Sequence, residues 1–340
     1  MRVLFLHDNQ PDYLAESLFH GLRSLLGSDC VDAPRYDSMY APLTSKLKSK
    51  LRGHGFTLYG LLDDISTLAE ERFYWRHDLD SYDLIVIGNI WTQWQLCWEL
   101  VQKVDAAKVA ILDGSDSPAF FPNASRGWRL RHIPWSYLTP LSRCKYFKRE
   151  FVSAASAYGF DSLLPKFLHP LIRLRRDALP IGFSIPEEKI KKVRLEDKSK
   201  RFPLHIVDEE VAAHINEAFF TEIGSANYAF SSEQAYYNDL KNSFYGITMK
   251  RGGWDCMRHY ELAANGCVLC FRNLDLKPNT CAPHGLNESN CVTYHNYDQL
   301  EQKIASITQD AYRQLQEESY RWVTKNTTIS RAQEFLAAYS

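Results

Sequence analysis

The run at residues 82–90 (YDLIVIGNI) limits the fold more than any other segment of this chain. Side chains alternate between the two faces of a strand, and here both faces carry apolar residues. Such a strand needs cover on both sides, as in a parallel sheet flanked by helices. The surrounding sequence alternates in the matching way. Residues 3–6 are a short apolar run. Residues 13–26 follow, with Leu14, Leu18, Leu22 and Leu25 spaced to share one helical face. Residues 94–104 read as a helix, 109–112 as a buried strand and 145–151 as another strand.

The alternation breaks at residues 179–186, where two prolines and a glycine precede the densely charged stretch 187–201. It then starts again. Strands are expected at 202–207, 226–230, 244–249, 267–271 and 291–294. Helices are expected at 209–220, 234–243, 254–265, 297–307, 311–325 and 328–339. At 340 residues the chain has room for two domains. The expected fold is therefore α/β, with two Rossmann-like domains facing across a cleft. Residues 1–180 form the first, 181–325 the second, and 326–340 a helix crossing back to the first.

Composition narrows the function. Forty basic and 41 acidic side chains leave a net charge of −1, without the basic excess of a dedicated nucleic-acid binder. No apolar run approaches the 18 residues of a membrane span. The opening apolar stretch stops at His7 and Asp8, so it reads as a first strand rather than a secretory signal, and a cytoplasmic protein is expected. Eight cysteines are then expected to be reduced. Cys267 and Cys270 form a CxxC inside an apolar strand-like run, where core thiols are the expected reading.

The segment that carries chemistry is 248–266, TMKRGGWDCMRHYELAANG. It sits where a strand should end and a helix begin, the end of an open α/β sheet at which ligands bind. Gly252 and Gly253 let a backbone approach a ligand closely. The amides of a helix starting at Trp254 favour an anion, and Lys250 and Arg251 add formal charge. Together they read as a diphosphate cradle, with Asp255 and Arg258 beside it. Glu261, two turns beyond Trp254, has a carboxylate suited to the two hydroxyls of a ribose. A solvated cluster of locally paired charges is the alternative reading of the same residues.

The segment 261–269 (ELAANGCVL) resembles the E-x-x-A-x-G-x-P/V-V stretch of GT-B glycosyltransferases. The second half, about residues 180–338, is similar to the C-terminal domain of the CgeB-like (spore-maturation-like) group 1 transferases. The basic glycine turn, residues 297–304 (YDQLEQKI) and residues 327–333 (TTISRAQ) carry that similarity. The resemblance implies that Glu261 binds the nucleotide ribose and the basic loop the diphosphate of a nucleotide-sugar donor. Gly253 stands where many retaining members carry an acid.

The first half would then hold the acceptor, a glycan, a lipid-linked molecule or a small molecule. Asp8 and Asp113 follow expected strands and are candidate bases, with His7 behind them. Asp12 is placed to cap the first helix. Residues 53–60, with His54, form a glycine-punctuated aromatic loop that suits an acceptor site. Trp128 and Trp135, among several arginines, offer sugar-stacking faces. Residues 163–176 mix apolar and basic side chains and suit weak peripheral membrane contact. The expected activity is sugar transfer with no cofactor and no metal, Lys250, Arg251 and the helix amides offsetting the diphosphate charge. A non-catalytic sugar- or nucleotide-binding protein and a GT-B-type sugar epimerase are the alternatives.

Overall fold

A computed structural model describes residues 1–121, 143–152, 178–215, 218–220 and 228–339. They form an α/β fold in which every described sheet is parallel. The largest sheet has the order β2-β1-β3-β4-β5-β6. Its strands are β1 Val3–Leu6, β2 Cys30–Ala33, β3 Leu84–Ile87, β4 Val109–Asp113, β5 Lys145–Lys148 and β6 Leu179–Pro180. Phe5 pairs with Asp32 on one side and Val86 on the other. All residues of β1, β3 and β4 are buried, as apolar residues on both faces of residues 82–90 require.

Local chemistry sets the helix starts. The Asp12 carboxylate accepts from the Leu14 and Ala15 amides at 2.9 and 3.4 Å and caps the helix Tyr13–Leu26. Gly27, at φ 55°, closes that helix. Asn89 caps the helix Ile90–Leu100 by accepting from the Trp91 amide at 3.0 Å. That cap brings the helix in four residues before the expected Trp94, and it ends at Leu100 rather than Val104. β2 and β3 flank β1 on opposite sides, so the carboxyl ends of β1 and β3 frame the crevice of a doubly wound sheet. Both caps meet there, Asn89 Nδ2 donating to Asp12 Oδ2 at 3.1 Å.

The second half carries a sheet of order β11-β10-β9, with β9 Tyr245–Met249, β10 Val268–Arg272 and β11 Cys291–Tyr294. Cys270 lies between Ile247 and Val292. A two-stranded sheet pairs β7 His205–Ile206 with β8 Phe219–Phe220. The expected helix over 209–220 is shorter, Glu209–Ala213, because the apolar pair Phe219–Phe220 joins β7 instead. All eight cysteines are free thiols. Cys267 and Cys270 are buried in the core, and burial pushes both thiols up in pKa.

The helices Gln309–Lys325 and Thr328–Tyr339 close the chain. The last one packs along Tyr13–Leu26 of the first half, with His20 Nδ1 and the Thr328 hydroxyl 2.9 Å apart. Where it returns, it meets the outgoing chain. Ile185 N donates to the Asn326 carbonyl at 3.2 Å, and Thr328 N donates to the Ile185 carbonyl at 2.9 Å. Among the described residues no helix is long and apolar enough to cross a membrane.

Candidate functional site

A cavity of about 340 Å³ opens between the two halves. The first half contributes Tyr13, Gly53, Phe56 and Asp116. The second half contributes Thr248 at the carboxyl end of β9, then Arg251, Gly252, Cys256, Met257, Arg258 and Glu261. His205, Val207, Tyr236 and residues 228–230 complete the wall.

The turn after β9 differs from the expected one. The helix begins at Met257, not Trp254, and runs to Ala264. Trp254 is apolar enough to be taken into the core, its ring stacked on Phe271 at 6.3 Å. The buried His259 fixes that arrangement. Its Nε2–H donates to the Trp254 carbonyl at 2.9 Å, and its Nδ1 accepts from the Thr248 hydroxyl at 2.7 Å. Burial lowers the His259 pKa to about 4, so the ring stays neutral. Cys256 takes the N-cap position in extended conformation. From Met257 to Glu261 is four residues, one turn, so the carboxylate still faces the side of the helix start.

Four of the eight expected donor-side residues line this cavity: Arg251, Gly252, Arg258 and Glu261. Glu261 Oε2 accepts from the Tyr236 hydroxyl at 2.8 Å, and Oε1 accepts from the Thr57 hydroxyl of the first half. Arg258 Nη2 donates to His205 Nδ1 at 3.1 Å. Burial first, then the Arg258 and Arg251 charges, depress the His205 pKa to about 2 and keep its ring neutral. Arg251 is half-buried, and burial pulls its pKa down. At Gly252 a Cβ would stand 2.3 Å from Asp116 Oδ2, so this glycine lets the turn approach the first half.

The other four lie off the cavity wall. Lys250 is exposed, its ammonium 5.3 Å above the Trp254 ring. Gly253 is buried against the first half, where a Cβ would fall 2.3 Å from Glu150 Oε1. Its small size serves packing between the halves. Trp254 belongs to the core, as above. Asp255 is buried, accepting from Phe183 N at 2.6 Å and the Tyr260 hydroxyl at 2.9 Å, and burial raises its pKa.

The candidate bases are also distributed differently. Asp113 is fully buried. Its carboxylate accepts from Trp91 Nε1 at 2.8 Å, the Tyr146 hydroxyl at 2.6 Å and Lys148 Nζ at 2.9 Å. Burial alone would raise its pKa, but the Lys148 charge and these donors hold it low. It acts as a buried counter-ion, out of reach of a hydroxyl in the cavity. His7 is buried too, stacked on Tyr36 with its Nε2–H donating to the Pro34 carbonyl. Asp8 accepts from the Gln10 amide at 3.0 Å and lies off the cavity wall. Among the described residues, Asp116, three residues after Asp113, is the acidic side chain that the first half brings to the cavity, and it pairs with Arg149. His54 is exposed beside Tyr228, ring centroids 4.8 Å apart, next to the lining residue Gly53. Trp128, Trp135 and the stretch 163–176 lie outside the described residues.

Several residues of the site carry little sequence signal. Arg149 spans the halves, donating from Nη1 to the Asp255 carbonyl at 2.7 Å and from Nε to the Gly114 carbonyl at 3.1 Å. Lys148, Arg149 and Glu150 form a charged triplet at the carboxyl end of β5, the end at which open α/β sheets bind ligands, and that is the mark that would have found them. Thr57, Tyr236 and Tyr237 have no such mark, since they meet Glu261 or one another across about 180 residues of chain or as ordinary aromatics on a helix. Chemically, the cavity wall carries two guanidinium groups, a helix N-terminus and two carboxylates, Glu261 and Asp116. That arrangement suits a ligand with an anionic group beside adjacent hydroxyls. Among the described residues no group of three or more His, Cys, Asp or Glu side chains is arranged to hold a metal ion.

The architecture is shared with solved structures along the whole chain. A glycosyltransferase from Rickettsia africae is 11% identical with a TM-score of 0.54, covering 99% of this chain and 97% of that one. HepE from Anabaena, solved in complex with UDP, is 10% identical with a TM-score of 0.52, covering 99% of each chain. Sucrose-phosphate synthase from Thermosynechococcus elongatus is 10% identical with a TM-score of 0.54, covering 100% of this chain and 98% of that one. The fold is the GT-B fold. In the GT-B frame the two parallel sheets are the cores of two Rossmann-like halves, and the cavity lies in the cleft between them. No protein-family model and no curated protein matches the sequence.

Proposed function

We propose that this chain is a glycosyltransferase that moves a sugar from a nucleoside-diphosphate donor to a hydroxyl acceptor. The observation that carries the reading is Glu261, set on the inter-half cavity one turn into its helix with Arg251 and Arg258 on the same wall. Its carboxylate suits the ribose diol, and the two guanidinium groups with the helix start suit the diphosphate. The GT-B fold and the UDP found in HepE support the same reading. Residues 181–325 would be the donor domain, residues 1–180 the acceptor domain, and 326–340 the helix returning to it. The basic glycine turn, residues 297–304 and residues 327–333 support placing the chain near the CgeB-like transferases.

In this reading the acceptor oxygen attacks the anomeric carbon and the bond to the diphosphate oxygen breaks. A base takes the acceptor proton, and the nucleoside diphosphate leaves. Arg251 and Arg258 offset the negative charge that builds on it, without a metal. Asp116 is the candidate base on the cavity wall, in place of Asp113. The acceptor would be a glycan, lipid-linked or small molecule met in the cytoplasm. The test is calorimetry with UDP, GDP and TDP, followed by a donor-hydrolysis assay with their sugars. Binding of one nucleotide and turnover of its sugar support the reading. Binding without turnover favours a non-catalytic binding protein, release of an inverted free sugar favours an epimerase, and no binding overturns the nucleotide site.

A further inference from the structure

Thr57 reaches from the first half into the second with three hydrogen-bonded contacts. Its amide donates to Glu233 Oε1 at 2.5 Å. Its hydroxyl donates to Glu261 Oε1, and the Tyr237 hydroxyl lies 2.8 Å from the same Thr57 oxygen. Since the Thr57 proton goes to the carboxylate, Tyr237 donates to Thr57. Tyr236 holds the other oxygen of Glu261 at 2.8 Å.

The backbone at Thr57 is strained. Its φ is 70°, in the left-handed region that β-branched residues avoid. His54, at φ 55°, shares that region with Thr57, while Gly53, Gly55 and Gly60 occupy it at no cost, as glycines do. Such strain persists when surrounding contacts over-determine the conformation. Here the contacts come from Glu233, Tyr237 and Glu261, all in the second half. Thr57 itself is buried. The loop therefore covers one oxygen of Glu261 with a hydroxyl, the same chemical group a ribose would present.

We propose that Thr57 is a clasp holding the place of a ribose hydroxyl on Glu261, so that a nucleotide binds by displacing it and releasing the loop 53–60 from the second half. The inference rests on the reading of Glu261 as a ribose-binding carboxylate. It makes nucleotide binding and the contact between the halves compete for one carboxylate oxygen.

The test compares wild type, Thr57→Val and Thr57→Gly by calorimetry with UDP, GDP and TDP, with amide hydrogen exchange over residues 53–60. Valine keeps the shape and removes the hydroxyl. Glycine removes the hydroxyl and also relieves the positive φ, so it covers the case of a valine variant that does not fold. The expected result is about tenfold tighter nucleotide binding in the variants, where tenfold corresponds to about 1.4 kcal/mol. In wild type, nucleotide should speed exchange of the loop amides. Binding by wild type with equal or weaker binding by the folded variants would overturn the clasp alone. An absence of binding by all three proteins would instead overturn the ribose reading of Glu261, and the clasp with it.

Discussion

Gly21 lies against Thr328 so closely that a Cβ on the glycine would stand 1.9 Å from the Thr328 carbonyl oxygen. The first helix and the last helix approach backbone to backbone at this point. Gly21→Ala should therefore destabilise the protein by roughly 1–3 kcal/mol, as overpacking does. The sign is diagnostic, because alanine in an unhindered helix interior is favoured over glycine by about 1 kcal/mol. Denaturant unfolding with a raised midpoint would show that the last helix can give way.

If the cavity binds a nucleoside diphosphate, the basic residues around the turn after β9 should separate into two groups. Arg251 and Arg258 face the cavity, whereas Lys250 is exposed over Trp254. Arg251→Ala and Arg258→Ala should each cost roughly 1.5–3 kcal/mol in nucleotide affinity or in kcat/KM. Arg251→Lys should also be costly, since an ammonium loses the bidentate grip. Lys250→Ala should change either quantity by about 0–1 kcal/mol. Steady-state kinetics and calorimetry on the four variants decide this, and an Arg251 variant with wild-type values would move the anion site elsewhere.

Removing Asp113 should unfold rather than merely inactivate. Asp113→Ala leaves the Lys148 ammonium buried without its counter-ion, and breaking a buried pair costs about 3–5 kcal/mol. Replacing both residues with apolar ones of similar size should recover much of that loss. Urea unfolding of the single and double variants measures it, and a single variant as stable as wild type would contradict the pairing.

Stability should fall as the solution is acidified from about pH 6.5. Burial lowers the pKa of His7 and His259 from 6.5 to about 4. Between those values the unfolded chain binds protons that the folded chain refuses, so the stabilisation is complete above pH 6.5 and lost as pH falls to about 4. Each histidine contributes a slope of up to about 1.4 kcal/mol per pH unit. Urea midpoints at pH 7, 6 and 5 for wild type and His259→Gln test this. The variant should show a shallower slope, and identical slopes would remove His259 as a source.

Much of the scaffold was legible because buried parallel strands have a plain apolar signature. Residues 3–6, 109–112 and 291–294 match observed strands to within one residue, and Asp12 caps as its side chain suggests. Boundaries moved where a cap or a buried aromatic competed with periodicity, as Asn89 does at Ile90 and Trp254 does before Met257. Within the candidate site, Glu261, Arg251, Arg258 and Gly252 were marked by their position after a strand. Asp113 looked like a loop acid and proved to be the centre of a buried network. That depends on Trp91, Tyr146 and Lys148 folding over it, and spacing does not encode such long-range meetings. Thr57 and Tyr236 escaped for the same reason.

The backbone bonds joining Ile185 to Asn326 and Thr328 mean that the chain passes between the halves twice, side by side. A single connecting strand acts as a swivel, free to twist and bend in any direction. Two adjacent strands laced together act as a strip hinge, which bends readily about one line and resists torsion. Any opening of the cleft is thereby steered along one arc. The walls carrying Thr57 and Glu261 would part and rejoin in the same register at each cycle, and a cut in one of the two strands would loosen the joint without separating the halves.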